Sequence, residues 1–209
     1  MKQISIMWDL DGTLIDSYKI IASSIEIVIK NKNITYSYEE VREEVTKRSC
    51  GEFLTDISNK YGLNLVDLDK EVHSYINSRY LEVEPIKNAK KTLDILSEMG
   101  VKNYIYTHKG NTTHDILKNI DMYKYFSEIL TIEDGFKRKP DPEATNYLIN
   151  KYNMDLNHTY YIGDRKLDIE SANNAHIKSV LFLPPGTYVK PTGKEDYIIY
   201  DLLEVIDLI

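Results

Sequence analysis

A chain of 209 residues is long enough for one sizeable core, or for a core plus a small second unit. Its hydrophobic share of 42% and charged share of 28% are ordinary for a globular protein. A formal net charge of -7 argues against a nucleic-acid binder, which needs a basic stripe, and against docking on anionic membrane surfaces. No stretch approaches the ~20 apolar residues that span a bilayer. The first residues run straight into an apolar strand without a signal-peptide layout, so a cytoplasmic location is expected. Cys50 is the only cysteine, which excludes an intrachain disulfide and an all-cysteine metal site and reads as a spectator thiol.

In chain order, an apolar strand is predicted at 4–8, and then the pattern changes. From 16 to 84 only helical periodicity is present, roughly at 17–30, 38–47, 50–60 and 66–82. Two of these carry capping-box spacing, Ser37 with Glu40 and Ser49 with Glu52. Pro85 marks a return to alternation. A helix over 88–99 puts Leu93, Leu96 and Met99 on one face and stops at Gly100. Strands follow at 103–106, 127–130, 159–162 and 179–183, several nearly continuous in apolar residues, as strands buried on both faces should be. Asp141 is placed to cap a helix with Pro142 at its first position. Residues 184–196 form a long polar loop. The expected fold is a doubly wound, mainly parallel α/β sheet, residues 1–15 and 85–209, with a small all-helical cap, residues 16–84, inserted after the first strand. No function attaches to the abundance of tyrosine, 17 in all.

Four elements carry chemistry. Asp9 and Asp11, in Asp9-Leu10-Asp11-Gly12-Thr13, follow the first strand and point to one side at strand spacing. They lie at the carboxyl end, where open α/β sheets bind ligands. Two carboxylates held close need a cation between them or a proton on one, and either suits phosphoryl transfer. Gly12 is expected to turn the backbone sharply and present N–H groups to a phosphate. Thr107, closing the strand at 103–106, offers a hydroxyl for a phosphoryl oxygen, and His108 and Lys109 follow it. Lys139, just before a helix start, is a cation able to neutralise a nucleophile and a transferring group. Asp164, in Gly163-Asp164 after the strand at 159–162, faces Asp168 four residues on. Such hard oxygen ligands suit Mg²⁺.

The order and placement of these elements resemble the haloacid dehalogenase-like superfamily over essentially the whole chain. Asp9 to Thr13 match its first motif, Thr107 its second, Lys139 its third, and Gly163-Asp164 with Asp168 its fourth. The helical insertion resembles the cap of the phosphoglycolate phosphatase and β-phosphoglucomutase branch. The resemblance implies Asp9 as nucleophile and Mg²⁺ ligand. Asp11 is implied as general acid/base and carbonyl ligand, Thr107 and Lys139 as phosphoryl-holding groups, Asp164 as a metal ligand, and Asp168 as a member of the metal site. Gly12, Thr13, His108 and Lys109 are expected beside the substrate. His108 departs from the Asn or Ser that many relatives carry there. Lys47 and Arg48 are candidates for leaving-group contacts, although they equally suit a helix end that favours positive charge.

The expected activity is Mg²⁺-dependent hydrolysis of a small soluble phosphomonoester through an aspartyl phosphate on Asp9. A phosphomutase is the alternative within the superfamily, and Thr13 weighs against it because β-phosphoglucomutase relatives typically carry Val there. A response-regulator receiver phosphorylates an aspartate on a later strand and has no helical insertion. A silent binding module usually lacks one of the chemical groups, all of which are present here.

Overall fold

The computed structural model describes residues 3–209. They form two compact units: the chain through Ile15 together with Pro85–Ile209, and Asp16–Glu84.

The first unit is built on a six-stranded sheet in the order β3-β2-β1-β4-β5-β6. The strands are β1 (Ser5–Trp8), β2 (Lys102–Tyr106), β3 (Phe126–Leu130), β4 (Thr159–Gly163), β5 (Lys178–Phe182) and β6 (Tyr197–Ile199). Every pairing is parallel. Helices α5 (Ala89–Glu98), α6 (Thr112–Asn119), α7 (Glu143–Tyr152) and α8 (Lys166–Asn174) make the crossovers. This is the doubly wound α/β fold read from the alternating pattern. β1 lies inside the sheet, and all four of its residues are buried, as a strand covered on both faces requires. Trp8, the largest buried side chain, donates from Nε1 to Asn103 Oδ1 at 2.9 Å, so its polar edge stays satisfied inside the core.

The second unit is all helical: α1 (Tyr18–Lys30), α2 (Tyr38–Lys47), α3 (Cys50–Tyr61) and α4 (Leu65–Ser78). It has its own core, in which Ile25, Val28, Val41, Phe53, Leu54 and Val72 are buried. Both expected capping boxes form. Ser37 accepts from Glu40 N–H while Glu40 reaches back to Ser37 N–H, and Ser49 and Glu52 repeat the exchange. Cys50 is largely covered, and burial pushes its thiol up to about 12, so it is not a thiolate near neutrality.

Three expectations change. Met99, the C-cap that follows α5, is 51% exposed, while Leu93 and Leu96 are fully buried. Pro142 is the N-cap of α7 and not its first residue; Asp141 still helps to start the helix, with Oδ1 accepting from Glu143 N–H at 3.0 Å. The helix expected at 66–82 runs Leu65–Ser78, with a separate 3-10 turn at Tyr80–Glu82, whereas the loop at 184–196 forms as expected and leads into β6, a short strand not read from the sequence. Among the described residues, no helix is long and apolar enough to cross a membrane.

Replacing Ser49 by Ala removes one capping box and should lower stability by about 1 kcal/mol. Urea unfolding followed by far-ultraviolet circular dichroism measures this, and Ser49→Asp should keep most of the loss from appearing.

Candidate active site

Parallel strands all end at the same edge of a sheet, so residues that just follow neighbouring strands converge there. Asp9 follows β1, and its N–H donates to Ile162 O in β4 at 2.8 Å. Thr107 follows β2, with its N–H on Leu130 O at 2.9 Å. Asp164 follows β4. Three adjacent strands thus bring residues from distant parts of the chain to one edge.

Lys139 joins this group from the loop before α7. Its Nζ lies 2.7 Å from Asp9 Oδ1 and 2.7 Å from Asp168 Oδ1, and all three side chains are essentially closed to solvent. Tyr106 and Tyr161 wall the ammonium, with ring centroids 5.1 and 5.4 Å away, within cation–π range. Burial pulls the lysine toward its neutral form, but Asp168 and Asp9 outweigh it and hold the group well above its ordinary value. One ammonium cannot fully neutralise two carboxylates. Burial therefore pushes Asp9 up to about 6, with Lys139 opposing the rise and the charge of Asp168 adding to it.

Among the described residues, ligand oxygens of Asp9, Asp164 and Asp168 lie within 4.8 Å of one another. Asp9 Oδ2 is buried with no hydrogen-bond partner. A buried excess of carboxylate charge with an orphaned oxygen fits a small hard dication such as Mg²⁺. Asp168 has a partner on each oxygen: Oδ1 receives Lys139 and Oδ2 receives Arg165 N–H at 3.1 Å. It holds the lysine and the start of α8 in place.

The remaining expected residues divide. Gly12 does turn the backbone, at φ 81°, where only glycine is free of strain. Its N–H, however, donates to Ile15 O at 2.8 Å, and Thr13 N–H to Leu10 O at 3.3 Å, so these two amides close the turn instead of facing a phosphate. The Thr13 side chain is fully buried and donates to Asp164 Oδ1 at 3.3 Å, supporting a site carboxylate. Lys109 reaches Asp11, Nζ to Oδ1 3.0 Å, and its N–H donates to Thr107 Oγ1 at 3.1 Å. His108 Nε2 accepts Lys139 N–H at 2.9 Å, and burial plus the charges of Lys139, Arg138 and Arg165 lower the ring to about 3. In the helical unit, Lys47 pairs with Glu43, while Arg48 binds Glu44 and Asp56 and lies over the Phe53 ring. Both cations thereby have partners of their own within that unit. Tyr106 and Tyr161 were missed from sequence; their signal was position, one residue before Thr107 and three before Asp164, inside strands that already looked like core.

The sequence signature described as haloacid dehalogenase-like hydrolase matches residues 6–182, a span that holds Asp9, Thr107, Lys139 and Asp164. This chain belongs to the haloacid dehalogenase-like hydrolase family. Members similar to it include Pyrophosphatase PpaX of Oceanobacillus iheyensis, 29% identical over 98% of this chain and 96% of that protein. Phosphoglycolate phosphatase of Vibrio parahaemolyticus is 26% identical, covering 98% of this chain and 95% of its own. The crystal structure of a predicted phosphoglycolate phosphatase from Haemophilus somnus superposes with a TM-score of 0.83 at 24% identity, covering 100% of this chain and 98% of that one. That likeness speaks for the haloacid dehalogenase-like fold.

Two outcomes follow from the geometry. A Cβ at Gly163 would lie 2.4 Å from Asp168 Cβ and Cγ. Gly163→Ala should therefore push Asp168 off Lys139 and cost about 1–3 kcal/mol, read from thermal unfolding. The second concerns pH. Asp9 rises from its ordinary 3.8 to about 6, so between those values the folded state holds a proton that the unfolded chain has lost. Its contribution to stability is fully present below 3.8 and is lost as pH rises through 6. In EDTA, Asp9→Asn should then be more stable than the wild type above pH 6, by at most about 3 kcal/mol, with the gap closing toward pH 4. Denaturant unfolding across that range measures it.

Proposed function

We propose that this chain is a Mg²⁺-dependent phosphatase that acts on a small phosphate ester through an aspartyl phosphate on Asp9. The observation that carries the reading is Asp9 itself: one oxygen on a buried lysine, the other buried and unpartnered, in a family of hydrolases.

In this reading an oxygen of Asp9 attacks phosphorus, and the bond to the leaving oxygen breaks. A group brought to about 6 by burial is still a carboxylate at neutral pH, as a nucleophile must be. Asp11 in its protonated form gives its proton to the leaving oxygen, then takes one from the water that attacks the phosphorus and frees Asp9. Lys109 Nζ, 3.0 Å from Asp11 Oδ1, holds that carboxyl in place between the two steps. Lys139 and the Thr107 hydroxyl offset the charge of the transferring group. Asp9, Asp164 and the Asp11 carbonyl would hold Mg²⁺, which would draw charge from the phosphoryl oxygens. Asp168 keeps Lys139 aimed at Asp9.

A second reading is that the substrate is inorganic pyrophosphate, with phosphate as the leaving group. The similarity to Pyrophosphatase PpaX over nearly the whole chain favours its inclusion. The same residues serve both substrates, since only the leaving group changes.

Purified protein assayed with p-nitrophenyl phosphate, phosphoglycolate and pyrophosphate should release phosphate with Mg²⁺ and not with EDTA. Asp9→Asn should abolish release, and Asp11→Asn should reduce kcat by about 10²–10⁴. Metal-independent release, or an Asp9→Asn variant that retains activity, would sink the proposal. The ratio of kcat/KM for phosphoglycolate and pyrophosphate decides between the two readings.

A further inference from the structure

Lys139 sits in the stretch 135–142, between a short 3-10 turn at Ile132–Asp134 and α7, which has no helix or strand of its own, yet its ammonium must meet two carboxylates at once. A long side chain on an untethered loop would lose that geometry to its own freedom. The main chain around it is in fact tied down from other elements. His108 Nε2 accepts Lys139 N–H at 2.9 Å, and the Tyr106 hydroxyl donates to Lys137 O at 2.8 Å. Asn174 in α8 donates to Pro140 O at 2.9 Å.

We infer that His108 is a positioning residue for Lys139, an uncharged ring acceptor that fixes the lysine's main chain so that Nζ reaches Asp9 and Asp168 together. The inference rests on the role of Lys139 in the proposed phosphatase reaction. Tyr106 is the last residue of β2 and His108 lies in the bend two residues on, and both hold the lysine loop. The His108 ring also packs edge-on against Tyr106, centroids 5.9 Å apart at 75°. One strand end thereby braces the lysine loop at two points, Lys137 O and Lys139 N–H.

The chemistry of the ring fits this task. To accept at Nε2, His108 must be neutral with its proton on Nδ1. Burial disfavours a second proton, and the charges of Lys139, Arg138 and Arg165 act the same way. The position therefore calls for an acceptor at the Nε2 location, not for a base. A glutamine carbonyl can occupy that location, and an alanine cannot.

The test uses the full chain with Mg²⁺, comparing wild type, His108→Ala and His108→Gln, each checked for folding by circular dichroism. With the ester that the wild type turns over best, His108→Ala should lower kcat by about 10–100-fold, with KM within about twofold. His108→Gln should recover most of the loss. A readout independent of turnover comes from nitrogen-15 NMR. The wild-type ring should show the Nδ1–H tautomer, and the Lys139 amide should be protected from exchange in wild type and His108→Gln but not in His108→Ala. Two folded variants with equal kcat, or a ring protonated on Nε2, would overturn the inference. Should the wild type hydrolyse nothing, the phosphatase reading falls, and the NMR readout still decides whether His108 holds Lys139.

Discussion

Lys139 Nζ lies 2.7 Å from both Asp9 and Asp168 in a place that solvent does not reach. A buried ion pair is a weak source of stability, because desolvating the charges offsets most of their attraction. With two carboxylates on one ammonium, the balance is worse than for a simple pair, and the raised Asp9 shows the strain. Its surroundings answer that deficit at each contact. Two tyrosine rings turn their faces to the cation, Asp168 takes a backbone N–H on its second oxygen, and Asp164 receives a hydroxyl from Thr13. What stays unanswered is the outer oxygen of Asp9. An arrangement that satisfies its neighbours and leaves one anionic oxygen over is poised for an electrophile or a cation.

Such a cluster could not be assembled from adjacent residues. It depends on β1 running between β2 and β4, with all three strands pointing the same way. Parallel pairing needs long crossovers, so the residues that meet at the edge must be far apart in the chain. The glycine at the end of β4 completes the fit: without a Cβ, Gly163 lets Asp168 fold back against the strand end.

Much of this was legible before any coordinates. Strand–helix alternation identified the doubly wound sheet, and the helix-only run after β1 identified the insertion, because hydrophobic period and turn residues are local properties. Asp9, Thr107 and Asp164 were legible because each directly follows an apolar strand. The partners of those residues were not. That Thr13 serves Asp164, that Gly12 N–H closes its own turn, and that two tyrosines enclose Lys139 are facts of three-dimensional proximity. The chain's many tyrosines masked the two that matter. Met99 misled because spacing assigns a face but not how far the neighbouring elements extend to cover it at a helix end.

The order of the strands also sets an order of events during synthesis. Asp16–Glu84 can gather its own apolar core while the ribosome is still short of β2. β1 cannot do the same: both its neighbours lie downstream, and the second is β4, which ends at Gly163. At the usual pace of translation, the strand that precedes Asp9 waits on the order of 10 s without a hydrogen-bonding partner. A four-residue strand with Ile6, Met7 and Trp8 in it is a sticky object to leave open for that time. A nascent chain stalled between residues 84 and 102 would therefore carry a finished helical bundle attached to an unprotected hydrophobic end, the state most in need of a chaperone.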